Sequence, residues 1–318
     1  MVRKSAFGGG DVLTTLVTGG LGFVGSTIIR KLKESGQPIV GLDRRFVDDL
    51  PEDPRYRYYQ ADINDVGRLV EIIQRDGVTN IIHTAAISHP VVSREVPYQT
   101  VMANSLGTAA VFEAARVTGV SRVVNFSSEC AYGNNRDLEI IYESSPLAPT
   151  TPYGATKVFT EHLARVYTDL YGMEIPSLRP GWIYGPGQFM QCYLKTMLRN
   201  ALDNTPTIED GGGDYRFQYV HVEDVAEAAI LAATAKGVRH EVFNVTGGDQ
   251  LSYREVAGEV KKLFPGAVIE IGPGSIEILD ENGVFDIAKA ERVLGWRPHY
   301  DLTLGMRQYS EWLRNHPY

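Results

Sequence analysis

Residues 13–25 read LTTLVTGGLGFVG, and this stretch decides the fold. Leu13, Leu16 and Val17 make a short apolar run that suits a buried strand. Gly19, Gly22 and Gly25 follow at three-residue spacing, and Val24, Ile28 and Leu32 then recur four apart, on one face of a helix. A tight turn between strand and helix lets backbone approach phosphate oxygens, and the helix N-terminus offers free N–H groups and a partial positive charge. The unit therefore suits a pyrophosphate. A glycine-rich connection without a ligand is an equal reading of this stretch alone. Residues 38–42 break the tie: they are apolar and lead into Asp43, roughly 20 residues beyond the last glycine, where a carboxylate accepts hydrogen bonds from an adenosine ribose. The expectation is a dinucleotide site.

Downstream, strand and helix patterns alternate. After a polar, proline-bounded loop at 44–54, Tyr56–Gln60 reads as a third strand leading to Asp62. Residues 66–75 form a helix with Leu69, Val70, Ile72 and Ile73 on its apolar side. Asn80–His83 is a short buried strand, followed by Thr84, Ala85 and Ala86, whose small side chains admit a flat ring or a second backbone. Residues 97–118 read as one long helix containing Asn104, and Arg122–Phe126 as a strand ending at Ser127 and Ser128. This alternation calls for an α/β fold, a doubly wound parallel sheet covered on both faces.

Thr151 and Pro152 open a helix that runs to about Tyr171; proline is tolerated in a first helical turn. Tyr153 and Lys157 lie on one face of it, and Phe159, Leu163, Val166 and Leu170 form a separate apolar stripe. Residues 174–178 suggest a strand ending at Arg179-Pro180, and beyond it the pattern loosens. A turn at Tyr184-Gly185-Pro186-Gly187, a helix at Tyr193–Leu202 and a hairpin or loop at 211–213 are expected. Strands at 219–222 and Val242–Val245 flank a helix at 225–235, and helices follow at Tyr253–Leu263 and 303–315. The expected organisation is a flexible arm at 1–11, a dinucleotide-binding domain at 12–180, and a smaller α/β substrate domain at 181–318. Segments near 219–246 are expected to return to the first domain.

The 318 residues suffice for one large α/β unit or two interlocked domains. A formal net charge of -8 argues against nucleic-acid binding, which needs a basic face. No apolar run reaches the length of a membrane span, and residues 1–11 are too short and polar for a signal peptide. Cys130 and Cys192, the two cysteines, make neither a disulfide framework nor a metal cluster, so a cytoplasmic protein without metal is expected.

A dinucleotide implies hydride transfer, which needs a group to move the hydroxyl proton. Tyrosine has an unperturbed pKa of about 10, and a nearby ammonium lowers it by favouring the phenolate. Tyr153 and Lys157 supply such a pair. Ser128 is expected to orient the reacting oxygen toward Tyr153, and Asn104 to position Lys157 through a water. A Tyr-x-x-x-Lys spacing also arises by chance on solvated helix faces; its place after the glycine turn, Asp43 and the serines favours catalysis.

At these residues the chain resembles the extended short-chain dehydrogenase/reductases, in the epimerase/dehydratase branch, over nearly its whole length. The matching pieces begin with Thr18-Gly19-Gly20-Leu21-Gly22-Phe23-Val24-Gly25, Asp62-Ile63, His83-Thr84-Ala85-Ala86 and Phe126-Ser127-Ser128 ahead of Tyr132-Gly133. They continue with Tyr153-Gly154-Ala155-Thr156-Lys157, Tyr184-Gly185-Pro186, His221-Val222-Glu223-Asp224-Val225 and Leu294-Gly295-Trp296-Arg297-Pro298. The resemblance implies that Tyr153 is the acid/base, that Lys157 also binds the nicotinamide ribose, and that Ser128 polarises the substrate oxygen. It implies adenine-side contacts at Asp62 and Ile63, and a homodimer through the helices at 97–118 and 151–171, whose apolar stripes read equally as core.

The cofactor residues expected are Gly19, Gly22, Phe23, Val24, Gly25, Asp43, Arg44, Asp62, Ile63, Thr84, Ala85, Ala86, Asn104, Tyr153, Lys157 and Pro180. NAD is the expected cofactor because Asp43 repels a 2′-phosphate; NADP is the alternative, through Arg44 and Arg45. On the substrate side the expected residues are Ser88, Ser128, Glu129, Cys130, Trp182 and Arg216. Departures from the family bear on the substrate. Many family dehydratases carry a glutamate base where Cys130 stands, and a thiol is a weak replacement. Glu129 reads either as an acid or as a loop carboxylate. Sugar-nucleotide enzymes of the branch often have asparagine at Trp182 and arginine at Phe217. Arg216, one position off, points to the other strand face unless a bulge intervenes. Trp182 either walls a smaller pocket or packs in the core. The expected function is NAD-dependent oxidation of a secondary hydroxyl on a carbohydrate or hydroxy-acid small molecule. The alternatives are a nucleotide-sugar 4-epimerase and a cofactor-sensing binding protein.

Overall fold

A computed structural model describes residues 13–48 and 53–316. The expected arm at 1–11 and part of the 44–54 loop lie outside the described residues. Seven parallel strands form the central sheet. Their order is Val242–Val245, Ser177–Pro180, Arg122–Phe126, Asn80–His83, Thr15–Thr18, Ile39–Asp43 and Tyr56–Gln60. The chain builds outward from Thr15–Thr18 in one direction, then crosses to its other side at Asn80–His83. The crossover leaves a crevice at the carboxyl ends of these strands, the place where open α/β sheets bind ligands.

The inner strands are buried along their whole length because helices cover both faces. Leu16, Val40, Ile81 and Val123 pack against the helices Val66–Asp76 and Gly107–Thr118 on one side. Val17, Ile82, Val124 and Leu178 pack against Phe23–Glu34 and the alanine-rich helix Val222–Thr234 on the other. Leu13, expected in the first strand, is exposed and precedes it, because pairing with the second strand begins only at Thr15.

Two helices position the site. Pro152–Tyr171 begins where the Thr151 hydroxyl accepts the Gly154 N–H at 3.1 Å, and ends at Gly172, whose φ of 69° closes the helix. The expected helix at 97–118 is not uniform. Pro97–Val101 and Gly107–Thr118 are α-helical, and the five residues Met102–Leu106 between them form a π-turn. An apolar period cannot reveal such a turn, which is a local widening that re-aims side chains, here that of Asn104. The stripe at Phe159, Val166 and Leu170 is exposed and therefore not core. On the neighbouring helical stretch Tyr98, Val101, Leu106 and Val117 are exposed as well.

The remaining strands make three small sheets. Trp182–Tyr184, Arg216–His221 and Gln250–Ser252 form one. Thr207–Glu209 pairs with Ile269–Ile271, and Asn135–Ile141 with Asn282–Phe285. Arg216–His221 starts earlier than the expected 219–222, and it belongs to the three-stranded sheet; Val242–Val245 alone of that region joins the central one. Three helices, Tyr193–Leu202, Tyr253–Leu263 and Leu302–Asn315, close a third core rich in tyrosine around Phe217.

The glycine turn is held at contact distance. A Cβ on Gly25 would collide with the Gly19 carbonyl and with Thr84 Oγ1, and the carbonyl, being backbone, cannot swing aside. Gly25→Ala is therefore expected to destabilise the protein by about 2 kcal/mol or more in denaturant unfolding. Gly258, inside Tyr253–Leu263, has open space around its missing Cβ. Gly258→Ala is expected to stabilise by about 0.5–1 kcal/mol in the same measurement.

Candidate active site

The turn after the first strand is built from backbone. Gly19 adopts φ +68°, and a Cβ there would sit 2.8 Å from the Ala85 nitrogen. The small residues at 84–86 are thus explained by close approach to the turn, and Thr84 Oγ1 donates to the Thr18 carbonyl at 2.7 Å. Gly22 caps Phe23–Glu34 with no side-chain hydrogen bond, which leaves N–H groups of the first turn available to an anion. Phe23 Cδ2 lies near Gly187, so the helix start touches the turn at 184–187, while Val24 packs partly buried against the core.

Asp43, at the end of the second strand, is buried beside this turn and accepts the Leu21 N–H at 3.2 Å. Burial alone would raise its pKa; hydrogen bonds from Arg45 and the Arg45 charge outweigh that and hold it below the usual carboxylate value. Arg45 is thus engaged by Asp43. Arg44 is exposed, its carbonyl accepting from Gln60 Nε2. Asp62 accepts the Asn64 backbone N–H at 2.8 Å, and Ile63 packs under the backbone of Gly107. Pro180 is buried at the end of its strand, next to Val245.

The Pro152–Tyr171 helix lays its polar face against the end of Arg122–Phe126. Lys157 is buried, and its Nζ donates to the Phe126 carbonyl at 2.7 Å. Burial lowers its pKa to about 8. Tyr153 is also buried; its backbone N–H donates to Ser93 Oγ, and Ser128 stands near enough to its hydroxyl to favour the phenolate. Burial opposes the expected acidification of the Tyr153 phenol by Lys157. Burial pushes Tyr153 well above its usual value, with the Cys130 sulfur adding to the effect and Ser128 opposing it. The Lys157 nitrogen stands 5.4 Å from the Tyr153 ring centroid, directed at the Phe126 carbonyl instead.

Asn104 is buried in the same region. Its amide exchanges hydrogen bonds with the Ile87 backbone, accepting at 2.8 Å and donating at 3.0 Å, and it donates to Thr156 Oγ1 at 3.2 Å. It therefore ties the segment after the fourth strand to the residue preceding Lys157. His83, on that strand, is held between Thr18 and Thr108 hydroxyls, and burial first, then the Lys157 charge, lowers its pKa to about 3.

Beside Tyr153 opens a cavity of roughly 510 Å³, including its solvent mouth. Glu129, Cys130, Trp182 and Arg216 line it. Ser88 and Ser128 do not: Ser88 is exposed on the loop before Pro90, which does line the cavity, and Ser128 is buried. Trp182 has both roles proposed for it, walling the cavity while packing edge-on against Phe217 at 5.1 Å. Arg216 reaches the cavity without a bulge, because Phe217 faces the tyrosine core and its neighbours face the other way. Burial raises the Cys130 thiol to about 12, and burial with the nearby Asp280 raises the Glu129 carboxyl to about 8. Sequence reading missed Tyr215, Gln218, Gln250, Asp280 and Asn282 in the lining. Gln218 follows from strand alternation with Arg216; the others come from segments with no periodic signal.

Comparison with known proteins matches residues 15–246 to the family described as the NAD dependent epimerase/dehydratase family. A putative UDP-glucose 4-epimerase of Methanocaldococcus jannaschii is 32% identical, over 94% of this chain and 98% of its own length. The dTDP-glucose 4,6-dehydratase of Salmonella typhimurium is 28% identical over 93% of this chain and 91% of its own. Among solved structures, the UDP-glucose 4-epimerase of Thermotoga maritima with UDP-glucose superposes with a TM-score of 0.86 at 26% identity, covering 95% of this chain and 99% of that one. The chain belongs to the NAD dependent epimerase/dehydratase family, and it is an NAD-dependent enzyme of the short-chain dehydrogenase/reductase type.

A folded-state pKa raised to about 8 at Glu129 has a stability consequence. Between the ordinary carboxyl value and pH 8 the native state binds the extra proton, so stability falls as pH rises through that window. Relative to Glu129→Gln, wild-type unfolding free energy is expected to decline by about 2 kcal/mol or more from pH 5 to pH 8. Chemical denaturation across that range measures it.

Proposed function

From this family membership we propose that Tyr153, Ser128 and Lys157 carry an oxidation of a secondary hydroxyl group on a carbohydrate. The observation that carries the reading is the convergence of three buried groups from two elements, next to a cavity lined by the adjoining Thr151, Glu129 and Cys130. The residues fit a dinucleotide. Gly19 and Gly25 leave no room for a Cβ, the Phe23–Glu34 helix keeps its first-turn N–H groups uncapped, and Asp43 sits beside the turn to receive a ribose. Asp62 and Ile63 stand on the adenine side, and Lys157 on the nicotinamide ribose. When bound, NAD supplies the hydride acceptor.

The protein's own part is proton handling and positioning. Ser128 holds the reacting oxygen toward Tyr153. In the oxidation direction the Tyr153 phenolate takes the hydroxyl proton; in the reduction direction the neutral phenol returns it. Because burial favours the neutral phenol, this site is set as a proton donor at rest, and oxidation requires a base-assisted deprotonation. Lys157 lies beside this route with a pKa of about 8. The relatives named as epimerases support a second outcome, in which the ketone is re-reduced on its opposite face before release.

The exposed apolar residues on Pro152–Tyr171 and on Pro97–Val101 with Gly107–Thr118 support a homodimer through these helices. Cys130 and Cys192 as free thiols support a reducing, cytoplasmic setting. No helix among the described residues is long and apolar enough to cross a membrane.

Tyr153→Phe is expected to lower kcat by about 10²–10⁴-fold while leaving NAD affinity within a few-fold, measured by cofactor reduction and calorimetry. The wild-type oxidation rate is expected to rise with pH to beyond pH 8. Phe159→Asp with Leu170→Glu is expected to yield monomers in sedimentation; an unchanged mass would remove the helices from the interface.

A further inference from the structure

We infer that residues 87–93 form a bracket that holds the backbone of Tyr153 from both sides, and that Ser93 is a positioning residue for the proton transfer at that tyrosine. This rests on the acid/base reading of Tyr153 above and adds what aims the phenol. The first turn of Pro152–Tyr171 shows why a partner from outside the helix is needed. N–H groups at a helix start find no acceptor within the helix. Pro152 has no N–H, the Gly154 N–H goes to Thr151 Oγ1 at 3.1 Å, and the Ala155 N–H goes to the Thr151 carbonyl at 3.0 Å. The Tyr153 N–H is the one that the cap does not serve, and Ser93 Oγ accepts it at 3.2 Å from 60 residues away in sequence. Ser93 is fully buried, and its hydroxyl donates to the Pro90 carbonyl at 2.7 Å while accepting from Tyr153. A hydroxyl can do both at once; an alanine there would do neither.

The Tyr153 carbonyl is tied to the same segment. Thr156 Oγ1 donates to it at 2.7 Å and accepts from Asn104 Nδ2 at 3.2 Å. Asn104 pairs in turn with both backbone groups of Ile87, at 2.8 and 3.0 Å. Thr156 and Asn104 are buried too, so water does not compete for these bonds. One short stretch thus reaches the Tyr153 N–H directly, from Ser93, and the Tyr153 carbonyl through two side chains, from Ile87. The stretch is anchored at its start. It follows Ala85, whose backbone nitrogen packs so closely on Gly19 that a Cβ there would lie 2.8 Å from it. The tyrosine is thereby registered to the glycine turn. Ser93 is not part of the cavity lining, although Pro90 is, so it acts through Tyr153 and not on a substrate. A reacting group displaced by about 1 Å can lose about 10²-fold in rate, which makes such ties matter to the chemistry as well as to folding.

The test reads Tyr153 by nuclear magnetic resonance in the NAD-loaded full chain, with tyrosine labelled at its backbone nitrogen and at Cζ. Tyr153→Phe identifies the two Tyr153 signals among those of the 17 tyrosines. Ser93→Ala removes the acceptor of the N–H. Thr156→Val removes the second tie at nearly constant shape, and Thr156→Ser keeps its hydroxyl. Ser93→Ala is expected to shift the Tyr153 amide and to move the Tyr153 Cζ signal by more than its line width, with tyrosines remote from the site unmoved. Thr156→Val is expected to move the Cζ signal as well, and Thr156→Ser to leave it in place. Should Ser93→Ala fail to fold, the two Thr156 variants decide the matter. A Cζ signal that stays in place in Ser93→Ala and Thr156→Val overturns the inference, because the ties then hold the helix without aiming the phenol. Movement of all tyrosine signals alike, or movement in Thr156→Ser equal to that in Thr156→Val, also overturns it. Each of these results leaves the acid/base reading standing, since turnover of Tyr153→Phe tests that reading separately.

Discussion

A buried ammonium on a backbone carbonyl sets the rest of this molecule. Lys157 Nζ, 2.7 Å from the Phe126 oxygen, fixes the long helix against the carboxyl end of a central strand. A buried lysine without partners would be costly. Here the strand end supplies the acceptor and the helix supplies the donor. Because the bond joins the two elements at the crossover crevice, it also sets where Tyr153 stands relative to Ser128. A few residues away, Arg179 and Glu161 make a second buried tie between the same helix and the next strand, at 2.6 Å.

Burial then sorts the ionisable groups of the site in one direction. It raises the acids, Tyr153, Cys130 and Glu129, and lowers the bases, Lys157 and His83. The result is a pocket that holds little net charge at rest. Hydride transfer benefits from such a dry, weakly charged environment, since water and stray ions compete for the reactive groups. The cost is that the phenol is harder to ionise than the Tyr-Lys spacing suggests. Desolvation of both partners opposes the mutual attraction that makes the pair effective when exposed.

Much of this was legible in the residues, and the reason is local. The glycine turn, Asp43 and the Tyr153-to-Lys157 spacing are each confined to a few consecutive positions whose physics is short-range. Four of the inner strands sit in short apolar runs, whereas Ser177–Pro180, which carries Arg179, starts three residues later than the expected 174–178. The direct partners of Asn104, the Ile87 backbone and Thr156, were not legible, because a π-turn leaves no trace in an apolar period. The exposed strand Asn135–Ile141 and its partner Asn282–Phe285 had no alternation to betray them. Asp280, Gln250 and Asn282 reach the cavity only through pairings between segments more than a hundred residues apart in sequence from Asn135, and no local pattern encodes such contacts.

Isotope transfer tests hydride movement most directly. A substrate carrying deuterium on the carbon that bears the reacting hydroxyl is incubated with enzyme and NAD, and the recovered cofactor is analysed by mass. Direct hydride transfer at the Tyr153 site predicts reduced nicotinamide that carries the deuterium and a slowed rate with the labelled substrate. Deuterium released to water, with none on the cofactor, would contradict it.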